Sequence, residues 1–499
     1  MTSEPAPERA WGTAQEPQYA AGSNLLGRVG RSRKDSRDRV GDCLKLGAGD
    51  SLTFDNADRR SSRWLPSFTA TMLVCLAARV IVGVTTRPLI APDTFGYMEL
   101  ARDIWHGNIS AFQGIRTPGY SFFLLLHGLN VHAARVTQFA LGMATVAGIF
   151  FVLWRLTQAP WLSSAGAVMY GLSVGHLFQE SIVQTELLAT FLLVAAPVLL
   201  VSLRGRDRHA CLKLVALGVA VGVLPLVRPL YVYMPLLLAI PVATAVKSRP
   251  RRFWLYILPA LIPVMIWMGY LGVAFNYFGL QTTSGFGWTN HAGAYMRDAP
   301  DRYASIRDIY LRQVEAQGGA WVDAIWHVIP EMQRATGQSL PELSKTVQRL
   351  SFGLLLTHPY GYSKQVLEDF VGFFKGGRIS ADWTPFGSLT WPLSKLMRYL
   401  EVVVNAWFCG VVVCLAARKL RIIRLPALPW PCFWLVMAVL TSGVVQALVE
   451  RGSSERMGMP TFPFVIVVVM CSLRVWLLPS SGATEGAADS KMLDSHRPT

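Results

Sequence analysis

Charge is scarce in this sequence, and it is missing in blocks. Only 16% of the 499 residues are Asp, Glu, Lys or Arg, and 52% are hydrophobic. An ordinary soluble protein carries about a quarter charged residues, so a soluble globular fold is excluded for most of the chain. Catalytic signatures are missing too. There is no glycine loop for nucleotide phosphates, no HExxH helix and no GxSxG elbow, so nucleotide-sugar use has no residues to support it. The seven cysteines include no CxxC pair, and all but Cys43 fall in apolar segments. They read as bystander thiols, with neither metal nor disulfide chemistry. No repeat of 20–50 residues and no inverted two-half symmetry of the transporter kind is visible.

What is present is a succession of long apolar runs. They lie at about 65–86, 134–155, 161–179, 187–203, 211–228, 230–246, 253–276, 396–417, 428–449 and 460–478. Runs near 18 residues match the roughly 30 Å hydrocarbon core of a bilayer, so about ten spans are predicted. The net charge of +16 sits in short clusters between the runs. That is the pattern of cytoplasmic loops against anionic lipid, and it argues against nucleic acid as a partner. Residues 1–63 are polar and carry Arg28, Arg31, Arg33, Lys34, Arg37 and Arg39. They read as a disordered basic cytoplasmic tail rather than a signal peptide, and 479–499 reads as a second tail.

One short run decides the orientation. Pro118 to Leu129 holds about a dozen residues, too few to cross as a helix. If it stays at the interface, or is re-entrant, three basic clusters share the cytoplasmic side with the tail. These are Arg204/Arg206/Arg208, Lys247/Arg249/Arg251/Arg252 and Arg418/Lys419/Arg421/Arg424. The external segments are then 87–133, the turn 176–186, the stretch 277–395 and 450–460. This gives an N-terminal membrane module at 64–276 (spans 1–7), an external helical cap at 277–395 and C-terminal spans at 396–478. Helical apolar spacing within the cap appears at Trp321, Ile325 and Ile329. It recurs at Leu343, Val347, Leu350 and Leu354, and at Val366, Phe370 and Phe374. The fold class expected is an all-α integral membrane bundle, with both termini cytoplasmic and the working face external.

The first external segment reads APDTFGYMELARDIWHGN and continues to RTPGY. Tyr97, Leu100, Ala101, Ile104 and Trp105 form an apolar stripe, predicting a helix along the membrane surface. Asp93 stands at its start. Two readings fit: a helix cap worth about 1 kcal/mol, or a general base worth about 10²–10⁴ in rate. Glu180 and Glu186 lie in the second external turn, as solvated residues or as partners of Asp93.

The spacing Asp93, Tyr97, Ala101, Gly107 and then Arg116-Thr-Pro-Gly-Tyr120 resembles the first external loop of the GT-C glycosyltransferases. It is most similar to their bacterial branch related to protein O-mannosyltransferases and lipid A aminoarabinose transferases. Glu180 to Glu186 (ESIVQTE), Val227-Arg228-Pro229 and Glu455-Arg456-Met-Gly-Met-Pro460 resemble that family in the same order. The resemblance implies a GT-C-type bundle with juxtamembrane helices in its first external loop. It further implies a polyprenyl-phosphate sugar as donor, with Asp93 activating the acceptor and Glu186 as second acid. Thr94 stands where the family often has another acid, so no metal is predicted and no cofactor is obligatory.

A departing lipid phosphate needs cations, and arginine's planar fork meets phosphate oxygens in pairs. The candidates are Arg228, Arg456, Arg116 and Arg79. Arg79 lies inside the first span, where a charge is costly unless it has a purpose or snorkels. Tyr97, Glu180, His358 and Tyr362 are candidates for the acceptor or sugar pocket, although a structural turn also explains His358 and Tyr362. The function expected is inverting transfer of a sugar to an external acceptor (protein, lipid or cell-wall glycan) at the plasma membrane. The rivals are a transporter or flippase of a lipid-linked saccharide and a non-catalytic scaffold of the same fold.

Overall fold

The computed structural model describes residues 64–203, 209–246, 250–377, 379–452 and 454–478. The two expected tails, the cluster Arg204/Arg206/Arg208 and the pair Lys247/Arg249 lie outside the described residues. Regular structure within them is helical, apart from one isolated bridge between Leu89 and Ile182.

The first part of the bundle runs through α1 (Leu65–Thr85), α2 (Pro92–Trp105), α3 (Gly119–Leu125) and α4 (Val131–Thr157). It continues through α5 (Pro160–Gly171), α6 (Val174–Ser181), α7 (Thr185–Val201), α8 (Ala210–Val227), α9 (Met234–Ala245) and α10 (Arg251–Phe275). Seven of the described helices are long and apolar enough to cross a membrane: α1, α4, α8, α10 and three C-terminal ones. Helices α7 and α9 are shorter but apolar. The chain is therefore a multi-pass membrane protein. Helix α3 has seven residues, too few to cross, as its dozen-residue run predicts.

The predicted span 161–179 is two helices. Ser173 breaks it, its hydroxyl accepting from the backbone N–H of His176 at the start of α6. The turn that follows, whose acids could have been solvated or partners of Asp93, is enclosed, with every residue of α6 buried. Gly142 on α4 makes room for this: a Cβ there would sit 2.3 Å from the Glu180 carboxylate. Gly142→Ala is expected to destabilise the protein by about 1–3 kcal/mol through overpacking, read as earlier thermal unfolding in detergent.

The cap comprises short turns followed by α11 (Ala304–Ala316), α12 (Ile325–Thr336), α13 (Leu340–Thr357) and α14 (Pro359–Phe373). It has its own core, which includes Ile325, Leu343, Val347, Leu350 and Leu354 from the predicted apolar spacing. At the end of α14, Phe373 joins the core of the bundle and Phe374 packs against it. The chain finishes with α15 (Thr390–Lys419), α16 (Trp430–Val449), α17 (Ser454–Gly458) and α18 (Phe462–Ser472). Of these, α15, α16 and the stretch built around α18 complete the seven.

Candidate active site

Asp93 is carried by the first turn of α2, and the chain ahead of that helix is stitched to the chain ahead of α7. Leu89 donates to the Ser181 carbonyl at 2.9 Å and accepts from the Val183 N–H at 3.0 Å. The Thr94 hydroxyl accepts from the Ala91 N–H at 3.0 Å and donates to the Val183 carbonyl at 2.8 Å. Gln138 on α4 donates to the carbonyls of Glu180 and Ile182 at 3.0 and 2.7 Å. Tyr120 donates to that same glutamine at 2.6 Å. These bonds hold the acid of the first loop beside Glu186, which opens α7.

Three arginines close the arrangement. Arg116, between α2 and α3, meets Asp93 Oδ1 at 2.6 Å, and its guanidinium lies over the Tyr97 ring at 5.5 Å. Arg456, on α17, reaches Asp93 Oδ2 at 3.4 Å and Glu186 Oε1 at 2.8 Å. Arg228, which caps the end of α8, lies 3.1 Å from the same Glu186 oxygen, with Met457 Sδ against its other nitrogen. The result is an alternating row: Arg116, Asp93, Arg456, Glu186, Arg228. Its members lie as far apart in sequence as 93 and 456, yet each touches the next.

The row runs from open to closed. Arg116, Asp93 and Arg456 are 32%, 28% and 38% exposed, whereas Glu186 and Arg228 are 2% and 6% exposed. A buried carboxylate costs several kcal/mol unless matched, and two guanidiniums match this one. Neither of those contacts is aligned as a hydrogen bond: Arg228 Nη1, Arg456 Nε and Glu186 Oε1 have no hydrogen-bond partner. Directional capacity of both arginines is thus unspent in a buried place. Glu450, just past α16, adds a third acid to the surroundings. Desolvation pushes its carboxyl up, against the charges of Arg228 and Arg456. Burial likewise raises the Tyr97 phenol.

Not all sequence candidates converge. Arg79 and Glu180 are 2% and 0% exposed and pair with each other at 2.5 Å inside the bundle. Arg79 also donates to the carbonyls of Cys75 and Gly171. Its charge is thereby taken up by Glu180, which is no turn residue facing solvent. Neither side chain joins the row. His358 belongs to the cap, stacked on Tyr295 at 4.3 Å and 3.1 Å from Asp298. Tyr362 donates to the Leu448 carbonyl at 2.8 Å, a packing bond between cap and bundle.

The sequence reading passed over a second polar cluster. Glu401 on α15 accepts from the Ser173 hydroxyl at 2.6 Å and the Gly377 N–H at 3.2 Å. His176 sits on Ser173 through Nδ1 at 2.9 Å. A glutamate inside the apolar run 396–417 was the available signal.

No family model and no curated protein sequence matches the chain. Two solved structures are similar to it. One is ArnT from Cupriavidus metallidurans in the apo state, at 14% identity over 86% of this chain and 80% of that one, with a TM-score of 0.32. The other is the same protein bound to undecaprenyl phosphate, at 14% identity over 85% and 80%, also at 0.32. A likeness at this level establishes neither a family nor an activity.

Proposed function

We propose that the chain is a membrane glycosyltransferase of the GT-C type, moving a sugar from a polyprenyl phosphate to an acceptor at the site end of the bundle. The row of three arginines and two acids carries this reading. It has a net excess of one cation, and Arg228 and Arg456 hold unaligned, buried N–H groups where an anion would complete them. A phosphate accepts from such forks in pairs. An apolar cavity lined by Leu193, Val221, Leu224, Met234 and Leu435 opens among α7, α8, α9 and α16. Leu193 stands seven positions beyond Glu186, about 10 Å along the helix. A prenyl chain suits such a place.

In the proposed step the acceptor hydroxyl attacks the anomeric carbon from the face opposite the leaving oxygen, and the carbon–oxygen bond to phosphate breaks. The bonding pair leaves with the polyprenyl phosphate, whose added charge meets Arg228 and Arg456. The hydroxyl proton passes to Asp93 as Arg456 turns from that carboxylate to the phosphate. Fixed cations placed where negative charge develops are often the largest catalytic contribution. Arg116, Asp93 and Arg456 are the exposed members, so the acceptor approaches on the Asp93 side, away from the enclosed Glu186 and Arg228.

Binding of an unglycosylated polyprenyl phosphate tests this without knowledge of the sugar. Arg228→Gln should weaken retention of that lipid in native mass spectrometry by about 10- to 100-fold, the worth of a charged hydrogen bond of roughly 1.5–3 kcal/mol. Unchanged retention in Arg228→Gln and Arg456→Gln alike would sink the phosphate assignment. For the transporter reading, reconstituted vesicles would have to show a lipid-linked sugar crossing intact. The buried charges of the bundle interior do not favour that reading, because Arg79 is matched by Glu180.

A further inference from the structure

The last cap helix, α14, descends beside α16 rather than resting above it. Near its start, Tyr362 bonds the carbonyl of Leu448, at the site end of α16. Near its finish, Phe370 and Phe373 lie against Gly443, where a Cβ would stand 3.0 and 3.4 Å from them. Gly443 is six positions before Val449, about 9 Å deeper at roughly 1.5 Å per residue. Phe374 stacks on Phe408 of α15 at 6.2 Å. Phe408 is eleven positions before Lys419, so it lies about 17 Å from the far end of α15, roughly 13 Å below the near edge of a 30 Å core. Two spans therefore give similar depths for the finish of α14.

This helix is two-sided. Gln365 is buried on His291 and Tyr295 of the cap, Asp369 on Ser454 and Phe373 in the bundle core, while Tyr360, Leu367 and Val371 are 84%, 64% and 51% exposed. The exposed three recur at i, i+7 and i+11, one stripe of a helix, with Lys364 exposed on the same stripe. Glu368, beside the stripe, is held by Arg451 at 3.0 Å. An apolar face at this depth fits hydrocarbon. A lysine nearer the boundary can lay its stem along the helix and reach the headgroups.

We propose that α14 is a half-inserted helix whose Leu367 and Val371 are seated among phospholipid acyl chains on the site side, with Tyr360 and the ammonium of Lys364 at headgroup level. Cap and bundle are then joined through the leaflet as well as through protein contacts. The unmodified full chain is reconstituted with phosphatidylcholine bearing a photoactivatable acyl chain, and adducts are mapped by mass spectrometry. Adducts within 360–371 are expected. In parallel, bimane is placed at Leu367→Cys and Val371→Cys in a cysteine-free chain, with Glu331→Cys on α12 as the aqueous reference. Emission at 367 and 371 should be lost with acyl-brominated lipid and kept with iodide, and the reverse should hold at 331. Quenching by iodide at 367 and 371, with no adduct in 360–371, overturns the proposal in favour of a water-filled vestibule. Protection from both quenchers overturns it in favour of a second protein copy over this face. Should the cysteine-free chain fail to fold, the adduct map on the unmodified chain decides.

Discussion

Asp93→Asn is expected to abolish measurable transfer, a loss of about 10²–10⁴ in rate, the range of a positioned general base. Expression and membrane insertion should be normal. The substitution keeps the shape of the side chain and an oxygen for Arg116, but it removes the charge and turns an amide toward Arg116 or Arg456. Of the five groups in the row, Asp93 has the combination a base needs: a carboxylate, partial exposure at 28%, and a place at the open end. Its removal also raises the net charge of the row from one cation to two. Retention of polyprenyl phosphate should therefore be unchanged or stronger in Asp93→Asn, while Arg228→Gln moves retention the opposite way. This opposition separates a catalytic role from collapse of the site, because collapse would lower both. Near-normal transfer by the asparagine variant removes the base assignment.

Much of the architecture was legible because lipid imposes length. A run such as 428–449 has few alternatives to a spanning helix, and α16 covers Trp430–Val449. The row was legible in part, since arginines and acids next to apolar runs are expensive and stand out. What the sequence did not show is which charge meets which. Glu180 and Glu186 are six positions apart in one expected external turn, Glu186 read as second acid and Glu180 as a pocket candidate, yet one faces Arg79 and the other Arg228 and Arg456. The break at Ser173 separates them: α6 starts there and carries Glu180 inside the bundle, and the chain turns extended at Gln184 before α7 carries Glu186. A hydroxyl two positions from glycines on either side, in an apolar run, is a weak signal, and it does not announce the break. Thr94 was read for the acid it replaces. Its hydroxyl instead joins two backbones ahead of Asp93 and Glu186, a role that side-chain type alone does not announce.

The buried pair makes the second large prediction. Glu180→Ala leaves the Arg79 guanidinium 2% exposed, inside the bundle, with the carbonyls of Cys75 and Gly171 as its remaining partners. Breaking a buried pair at one side typically costs about 3–5 kcal/mol, because the surviving charge is uncompensated. Thermal unfolding in detergent should shift far below that of the unmodified chain, and yield should fall. Replacing both partners with apolar residues of similar volume, as in Arg79→Met with Glu180→Leu, should recover most of the loss. Such recovery would mark the pair as structural, with transfer per folded molecule largely kept. If Glu180→Ala instead unfolded like the unmodified chain while transfer vanished, Glu180 would have to act on substrate. The bundle would then have to open to admit substrate to a carboxylate it now encloses completely. That outcome would also revive the transport reading, because a charge pair that is accessible in one state and closed in another is what a path through the bundle requires.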